Sequence, residues 1–120
     1  MSHKILVADD NHVSRELIKE VLEMSGYDVV EAADGQEAVT RARESMPDLA
    51  LIDIQMPRLD GYGVLRELRA DPRLASLQII ALTAFAMHGD RERALDAGFD
   101  GYISKPVEIA SLRQEIKKLL

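Results

Sequence analysis

Residues 49–63 read LALIDIQMPRLDGYG, and the first four of them are apolar without interruption. Two other runs, Ile5–Ala8 and Ile79–Leu82, are continuous in the same way rather than alternating. Continuous short apolar runs are typical of strands that are buried on both faces of a parallel sheet. The stretch therefore predicts a central strand at Leu49–Ile52 that ends at a carboxylate, Asp53, just before a turn that contains proline.

Two weaker apolar runs complete the predicted sheet. Val29–Ala32 contains a charged residue, Glu31, which indicates an edge strand, and Tyr102–Ile103 is short. Helical stripes at 3.6-residue spacing lie between the runs; the first of them consists of Leu17, Ile18, Val21 and Leu22. Strict alternation of five strands and five helices predicts a doubly wound α/β fold with right-handed crossovers.

Composition limits the classes of function. The chain has 120 residues, of which 47% are hydrophobic, and this suits one domain over residues 1–120 with no output domain after it. It has no cysteine, which excludes disulfides and thiolate metal sites. A net charge of −6 disfavours nucleic acid as a partner, and no apolar run is long enough for a membrane span or a signal peptide. We therefore expect a cytoplasmic protein.

Chemically useful side chains stand where the predicted strands end. Asp9 and Asp10 follow the first strand, Asp53 the third, Thr83 the fourth, and Lys105 comes shortly after the fifth. Ligands of open parallel sheets bind beyond the carboxyl ends of the strands. These side chains can meet if the strand order is 2-1-3-4-5, which is the flavodoxin-like order and leaves the second strand at an edge.

Three carboxylates at one edge repel one another. Two unit charges about 4 Å apart cost about 4 kcal/mol at an effective dielectric constant near 20. Either some of the acids are protonated or a cation lies among them. A small set of carboxylates with open positions favours Mg²⁺, or Mn²⁺, with room for a phosphoryl group. Asp53 can then act as a nucleophile toward phosphorus, while Lys105 offsets charge and Thr83 donates a hydrogen bond.

At this point the sequence resembles the receiver domain of bacterial two-component response regulators, of the stand-alone single-domain type. The resemblance covers the whole chain. The motifs that carry it are Asp9–Asp10, Asp53, Met56-Pro57, Asp60-Gly61, Thr83-Ala84 and Lys105-Pro106.

The resemblance implies that Asp53 accepts a phosphoryl group from a phosphohistidine on a histidine kinase or a histidine phosphotransfer protein. It implies that Asp10, Asp53 and the backbone carbonyl of Gln55 bind Mg²⁺, with Asp9 helping through water. It also implies that Lys105 contacts the phosphoryl group and precedes a cis proline bond. Gln55 and Phe85 occupy positions that tune the phosphoryl lifetime in the family.

Thr83 and Tyr102 match the switch pair of the family. The implied switch changes the face formed by helix 4, strand 5 and helix 5, and that face binds a downstream effector protein. Such a domain catalyses only its own phosphorylation and dephosphorylation, so it is not an enzyme for an external substrate.

Two alternatives remain at this stage. A phosphorylation-independent interaction module of the same fold would signal by binding alone, and loss of an acid or of Lys105 would favour it. A phosphohydrolase of the haloacid-dehalogenase type would have a second aspartate two residues after the nucleophile. That position holds Gln55 here.

Overall fold

The structure is a computed structural model and describes residues 3–84 and 87–120. Strands and helices alternate throughout these ranges. The strands in these ranges are β1 (Lys4–Ala8), β2 (Asp28–Ala32), β3 (Leu49–Asp53), β4 (Gln78–Thr83) and β5 (Gly101–Ser104). The helices are α1 (His12–Met24), α2 (Gly35–Ser45), α3 (Gly61–Ala70), α4 (Asp90–Ala97) and α5 (Ile109–Leu119).

The five strands form one parallel sheet in the order β2-β1-β3-β4-β5, which confirms the predicted order. β1 lies beside β3, with Ala8 opposite Ile52, so the two central strands end at the same edge. β2 pairs with β1 at one side of the sheet and is largely half-buried, as its charged residue indicated.

Two apolar layers cover the two faces of the sheet. Alternate strand residues point to opposite faces. On one face they pack against α2, α3 and α4, and on the other against α1 and α5. β1, β3 and β4 are buried on both faces, which is why their sequences are apolar without alternation. This packing fixes the positions of the strand ends.

Side-chain caps set the start of three helices. Asn11, Asp34 and Asp60 each accept a hydrogen bond from a backbone N–H three residues later, at 3.0, 2.8 and 2.9 Å. Such caps satisfy backbone donors that the first helical turn leaves unpaired. The N-cap of α1 is Asn11 rather than Asp9 or Asp10.

Two details differ from the sequence-based expectation. Leu17, placed in the buried stripe of α1, is 44% exposed. Asp53 and Thr83 are the last residues of their strands rather than the first residues after them.

Within residues 3–84 and 87–120, every helix is too short or too polar to cross a bilayer.

Candidate functional site

The neighbouring ends of β1 and β3 bring the acidic residues together. Asp9 directly follows β1 and is fully buried, and Asp53 ends β3 and is also buried. Asp10 is exposed at the rim. The three side chains each offer a carboxylate oxygen, and these oxygens all lie within 4.8 Å of one another. The predicted gathering of Asp9, Asp10 and Asp53 is thus present in the folded chain.

Lys105 bridges the two buried acids. Its Nζ lies 2.8 Å from Oδ2 of Asp9 and 2.8 Å from Oδ2 of Asp53. The bond between Lys105 and Pro106 is cis, as the resemblance implied. Lys105 thus pairs with two of the three carboxylates, and the four groups together carry an excess of negative charge when all are ionised.

The two buried acids divide this charge unequally. Burial raises the pKa of Asp53 to about 6, and the neighbouring Asp9 adds to the rise, although Lys105 opposes it. Burial also acts to raise the pKa of Asp9, but the ion pair with Lys105 and the hydrogen bond from the backbone of Asn11 outweigh burial and lower it. Asp9 thus has the lower pKa of the two and stays ionised to a lower pH than Asp53. The raised pKa of Asp53 is the direction expected for a buried carboxyl beside a second carboxylate.

Backbone N–H groups fix the remaining oxygens of these two acids. Oδ1 of Asp9 accepts from the N–H of Asn11 at 2.9 Å, and Oδ1 of Asp53 accepts from the N–H of Gln55 at 3.0 Å. Such bonds to the residue two positions on are a common turn device of aspartate. Each acid is therefore held by the loop that follows its own strand.

Thr83 lies beside this cluster at the end of β4 and is buried. Its hydroxyl donates a hydrogen bond to Oε1 of Gln55 at 3.1 Å. The sequence indicated the position of Thr83 but gave no sign of this contact, because the rotamer of Gln55 decides it. Phe85, the other position thought to tune the phosphoryl lifetime, lies outside the described residues.

Tyr102, the second member of the expected switch pair, is half-buried on β5. Its ring packs against the apolar layer on the α2–α3–α4 face. Its hydroxyl is buried and has no hydrogen-bond partner among the described residues. Burial also raises the pKa of this hydroxyl. Tyr102 therefore points inward in this structure, toward the apolar layer.

Two contributors to the site escaped sequence reasoning. The guanidinium of Arg15 donates to the backbone carbonyl of Asp9 at 2.7 Å. Gly61 packs so closely on β3 that a Cβ there would lie 2.7 Å from the carbonyl oxygen of Asp53. The Asp60-Gly61 pair indicated a turn, but no pattern in the sequence revealed that this turn folds back onto the strand end.

The donor set fits a hard divalent cation. Carboxylate oxygens are the protein ligands that Mg²⁺ prefers, and it commonly keeps open positions for water and phosphate oxygens. Asp9, Asp10 and Asp53 each contribute an oxygen to the cluster, and Asp10 is exposed at its rim. The excess of negative charge gives a cation a physical reason to bind there.

Comparison with known proteins agrees with this geometry. The polar-differentiation response regulator DivK of Brucella ovis is 39% identical over 120 residues, which are 100% of this chain and 98% of that protein. The receiver domain of the sensor histidine kinase PA1611 from Pseudomonas aeruginosa has a magnesium ion coordinated in its active site cleft. It is 39% identical, with a TM-score of 0.91 and coverage of 99% of this chain and 98% of that one.

The chemotaxis protein CheY4 of Vibrio cholerae has the same fold, with a TM-score of 0.93, 26% identity and complete coverage, 100%, of both chains. A family profile, that of the response regulator receiver domain, matches residues 5–117. The fold, the acid–lysine cluster and these matches lead to one conclusion, which is that this chain belongs to the response regulator receiver family of two-component signalling.

Proposed function

We propose that Asp53 accepts a phosphoryl group from a phosphohistidine on a partner histidine kinase or histidine phosphotransfer protein. The observation that carries this proposal is the contact of Asp53 with Lys105 at 2.8 Å inside a cluster of three carboxylates. Asp53 is the member of the cluster closest in the sheet to Thr83, since it lies opposite Leu82. A phosphoryl group on Asp53 would be flanked by both polar partners.

The transfer balances without any further reactant. An oxygen of Asp53 forms a bond to phosphorus while the bond between phosphorus and the imidazole nitrogen breaks. The electron pair of that bond stays on the nitrogen, and a phosphohistidine protonated on its other ring nitrogen leaves as neutral imidazole. The product on Asp53 is an acyl phosphate.

Asp10, Asp53 and the backbone carbonyl of Gln55 would hold the cation, with Asp9 behind them. When bound, Mg²⁺ neutralises charge on the phosphoryl oxygens. Lys105 provides the second positive charge, and its two carboxylate partners keep its ammonium protonated, because they raise its pKa against the effect of burial. Lys105 is thus placed to donate to a phosphoryl oxygen.

The output of this reaction is a change of surface on α4, β5 and α5. Thr83 would exchange its bond with Gln55 for one with a phosphoryl oxygen. Charge-assisted hydrogen bonds contribute about 1.5–3 kcal/mol each, so Thr83 and Lys105 together supply about 3–6 kcal/mol. About 5.5 kcal/mol takes a two-state protein from 1:99 to 99:1. The new bonds are of the size that such a shift requires, and the bonds that Thr83 and Lys105 already make with Gln55, Asp9 and Asp53 reduce the net gain.

An apolar groove beside the acids favours a protein as phosphoryl donor. Val13, 78% exposed, and Leu17 lie one turn apart on α1, and the groove also includes Lys105, Pro106 and Val107. A phosphohistidine that reaches Asp53 must bring its own domain against this rim. We assign the groove to the protein that carries the phosphohistidine, because Lys105 belongs to both the groove and the site.

The protein turns over no external substrate in this proposal, and it acts in the cytoplasm, where histidine kinases present their phosphohistidine. We expect no nucleic-acid partner, because a net charge of −6 disfavours contact with a phosphate backbone.

Intact-protein mass spectrometry tests the proposal. Incubation with Mg²⁺ and a small phosphodonor should add one phosphoryl group, and hydroxylamine should remove it, as it does any acyl phosphate. Asp53→Asn should stay unlabelled. Asp96→Asn, which changes an exposed acid on α4, is the matched control and should label like the wild type. Equal labelling of Asp53→Asn would overturn the assignment of the nucleophile, and labelling of neither protein would favour an interaction module.

A further inference from the structure

Arg15 reaches back from α1 to the loop that carries the acid pair. It lies one turn after the helix cap, Asn11, and its side chain is only 15% exposed. Its Nη1 donates to the backbone carbonyl of Asp9 at 2.7 Å. That carbonyl belongs to the peptide group that joins Asp9 to Asp10, so Arg15 contacts the backbone between the two acids.

The edge strand β2 anchors this contact. Nε of Arg15 donates to Oε1 of Glu31 at 3.2 Å, and Glu31 also pairs with Nζ of Lys19 at 3.3 Å. The backbone N–H of Asp9 donates to the carbonyl of Ala32 at 3.1 Å. Asp9 is therefore tied to β2 twice, directly through its N–H and indirectly through Arg15 and Glu31.

Asp10 depends on this arrangement for its direction. Among the described residues, its side chain makes no hydrogen bond or ion pair. The backbone sets the direction in which its side chain leaves the chain, and the peptide group before it is the one that Arg15 holds. A guanidinium suits this task because its planar fork can contact Glu31 and a carbonyl at the same time.

We propose that Arg15 is a positioning residue for the cation-binding acids, with Glu31 as its anchor. The inference rests on the proposed function, in which Asp10 and Asp53 hold Mg²⁺. Arg15 touches neither the cation nor the phosphoryl group. It acts by holding Asp10 in the direction that brings its oxygen toward Asp53, so that the acids need not be ordered when the cation binds.

The direction in which Arg15→Ala changes the affinity for Mg²⁺ separates this positioning role from a simple effect of charge. Arg15 is positively charged, so its charge alone repels a cation, and Arg15→Ala should tighten Mg²⁺ binding if charge is all that matters. If Arg15 positions Asp10, Arg15→Ala should weaken it. Partners one layer behind metal ligands typically change affinity about 10- to 100-fold, and we expect the lower end, about tenfold.

The experiment is isothermal titration calorimetry with Mg²⁺ on the full chain. Lys19→Ala is the matched control, because it removes the other cation on Glu31 and leaves the contact with Asp9. It should bind Mg²⁺ like the wild type. Labelling by a small phosphodonor gives a second readout, since Arg15→Ala should label slowly at low Mg²⁺ and regain the wild-type rate at saturating Mg²⁺.

Each outcome decides a specific point. Unchanged or tighter Mg²⁺ binding by Arg15→Ala, or a rate that stays low at saturating Mg²⁺, overturns the positioning role. If the wild type itself binds no Mg²⁺, the proposed function fails instead. Should Arg15→Ala not fold, Glu31→Gln, which weakens only the anchor, replaces it; a loss of affinity smaller than tenfold supports the inference, and none contradicts it.

Discussion

Thr83 and Gln55 are joined by a hydrogen bond of 3.1 Å from the hydroxyl to the side-chain carbonyl oxygen. Gln55 also donates its backbone N–H to Asp53 at 3.0 Å. One residue thus contacts both the acceptor that we propose for the phosphoryl group and the hydroxyl that would bind that group. In the proposed reaction, the side chain of Gln55 would therefore compete with a phosphoryl oxygen for Thr83.

This competition predicts the effect of Gln55→Leu on binding of beryllofluoride, a mimic of the acyl phosphate, in the presence of Mg²⁺. A hydrogen bond contributes about 0.5–1.5 kcal/mol net, so removing the competitor should tighten binding about 2- to 10-fold. Thr83→Val, which removes the donor, should weaken it. Calorimetric titration measures both, and weaker binding by Gln55→Leu would show that the contact assists the switch rather than opposing it.

Asp53→Asn should stabilise the fold at neutral pH without divalent cations. The pKa of Asp53 in the folded chain, about 6, exceeds its ordinary value of 3.8, so ionised Asp53 costs folding free energy. At 1.36 kcal/mol per pKa unit the gain from asparagine should be about 1–3 kcal/mol. Lys105 keeps its contact with Asp9 in this variant.

The pH dependence of that gain has a definite sign. A raised carboxyl pKa imposes its full cost above pH 6, and the cost fades as the pH falls through about 6 toward 3.8. Urea unfolding in EDTA should therefore show a difference between wild type and Asp53→Asn at pH 7.5 that shrinks toward zero near about pH 4. A difference that grows on acidification would contradict the charge assignment.

Lys105→Met should destabilise the protein in the absence of a cation and much less in its presence. It leaves the buried Asp9 and Asp53 without their ammonium partner. Breaking a buried ion pair costs about 3–5 kcal/mol, and uptake of a proton by one acid should limit the loss to about 3 kcal/mol.

Saturating Mg²⁺ binds the folded state and should restore most of this loss. Urea unfolding with and without Mg²⁺ measures the difference, and Lys118→Met, in the exposed last turn of α5, is the control. An equal loss under both conditions would mean that Lys105 stabilises through packing rather than charge.

Val13→Glu should slow phosphotransfer from a protein donor and leave labelling by a small phosphodonor unchanged. A charge in the apolar groove opposes docking but does not touch the acids. Met24→Glu is the matched control, because Met24 is 79% exposed and lies at the other end of α1. The measurement is the rate of transfer from a phosphorylated donor protein to each variant. Equal slowing by both variants would show that the donor does not dock in this groove.

The backbone rules of parallel sheets carried most of the sequence-based prediction. Alternation of apolar runs and helical stripes is enough to place Asp9, Asp53, Thr83 and Lys105 at one edge, because strand order and direction fix where strand ends lie. Side-chain packing is not needed for that step. The same reasoning identified β2 as an edge strand from Glu31.

The sequence did not determine the side-chain hydrogen bonds of the site or the edges of the buried helix faces. The first depend on rotamers, and the second depend on how much of a helix the sheet covers. The bonds of Gln55 to Thr83 and of Arg15 to Asp9 join long side chains to partners that only the folded chain brings near. Leu17 shows the same limit for packing. The 3.6-residue period identifies an apolar stripe, but it does not show how far the sheet extends beneath it.

The cluster draws its residues from β1, β3 and the end of β5, so no short segment contains it. A chain that is still emerging from the ribosome has Asp9, Asp10 and Asp53 long before it has Lys105. The complete acid–lysine arrangement thus forms only after the chain has been synthesised through Lys105. The cluster is therefore a product of the folded sheet, and a peptide that carries only Asp53 and the turn after it lacks the ammonium partner of that acid.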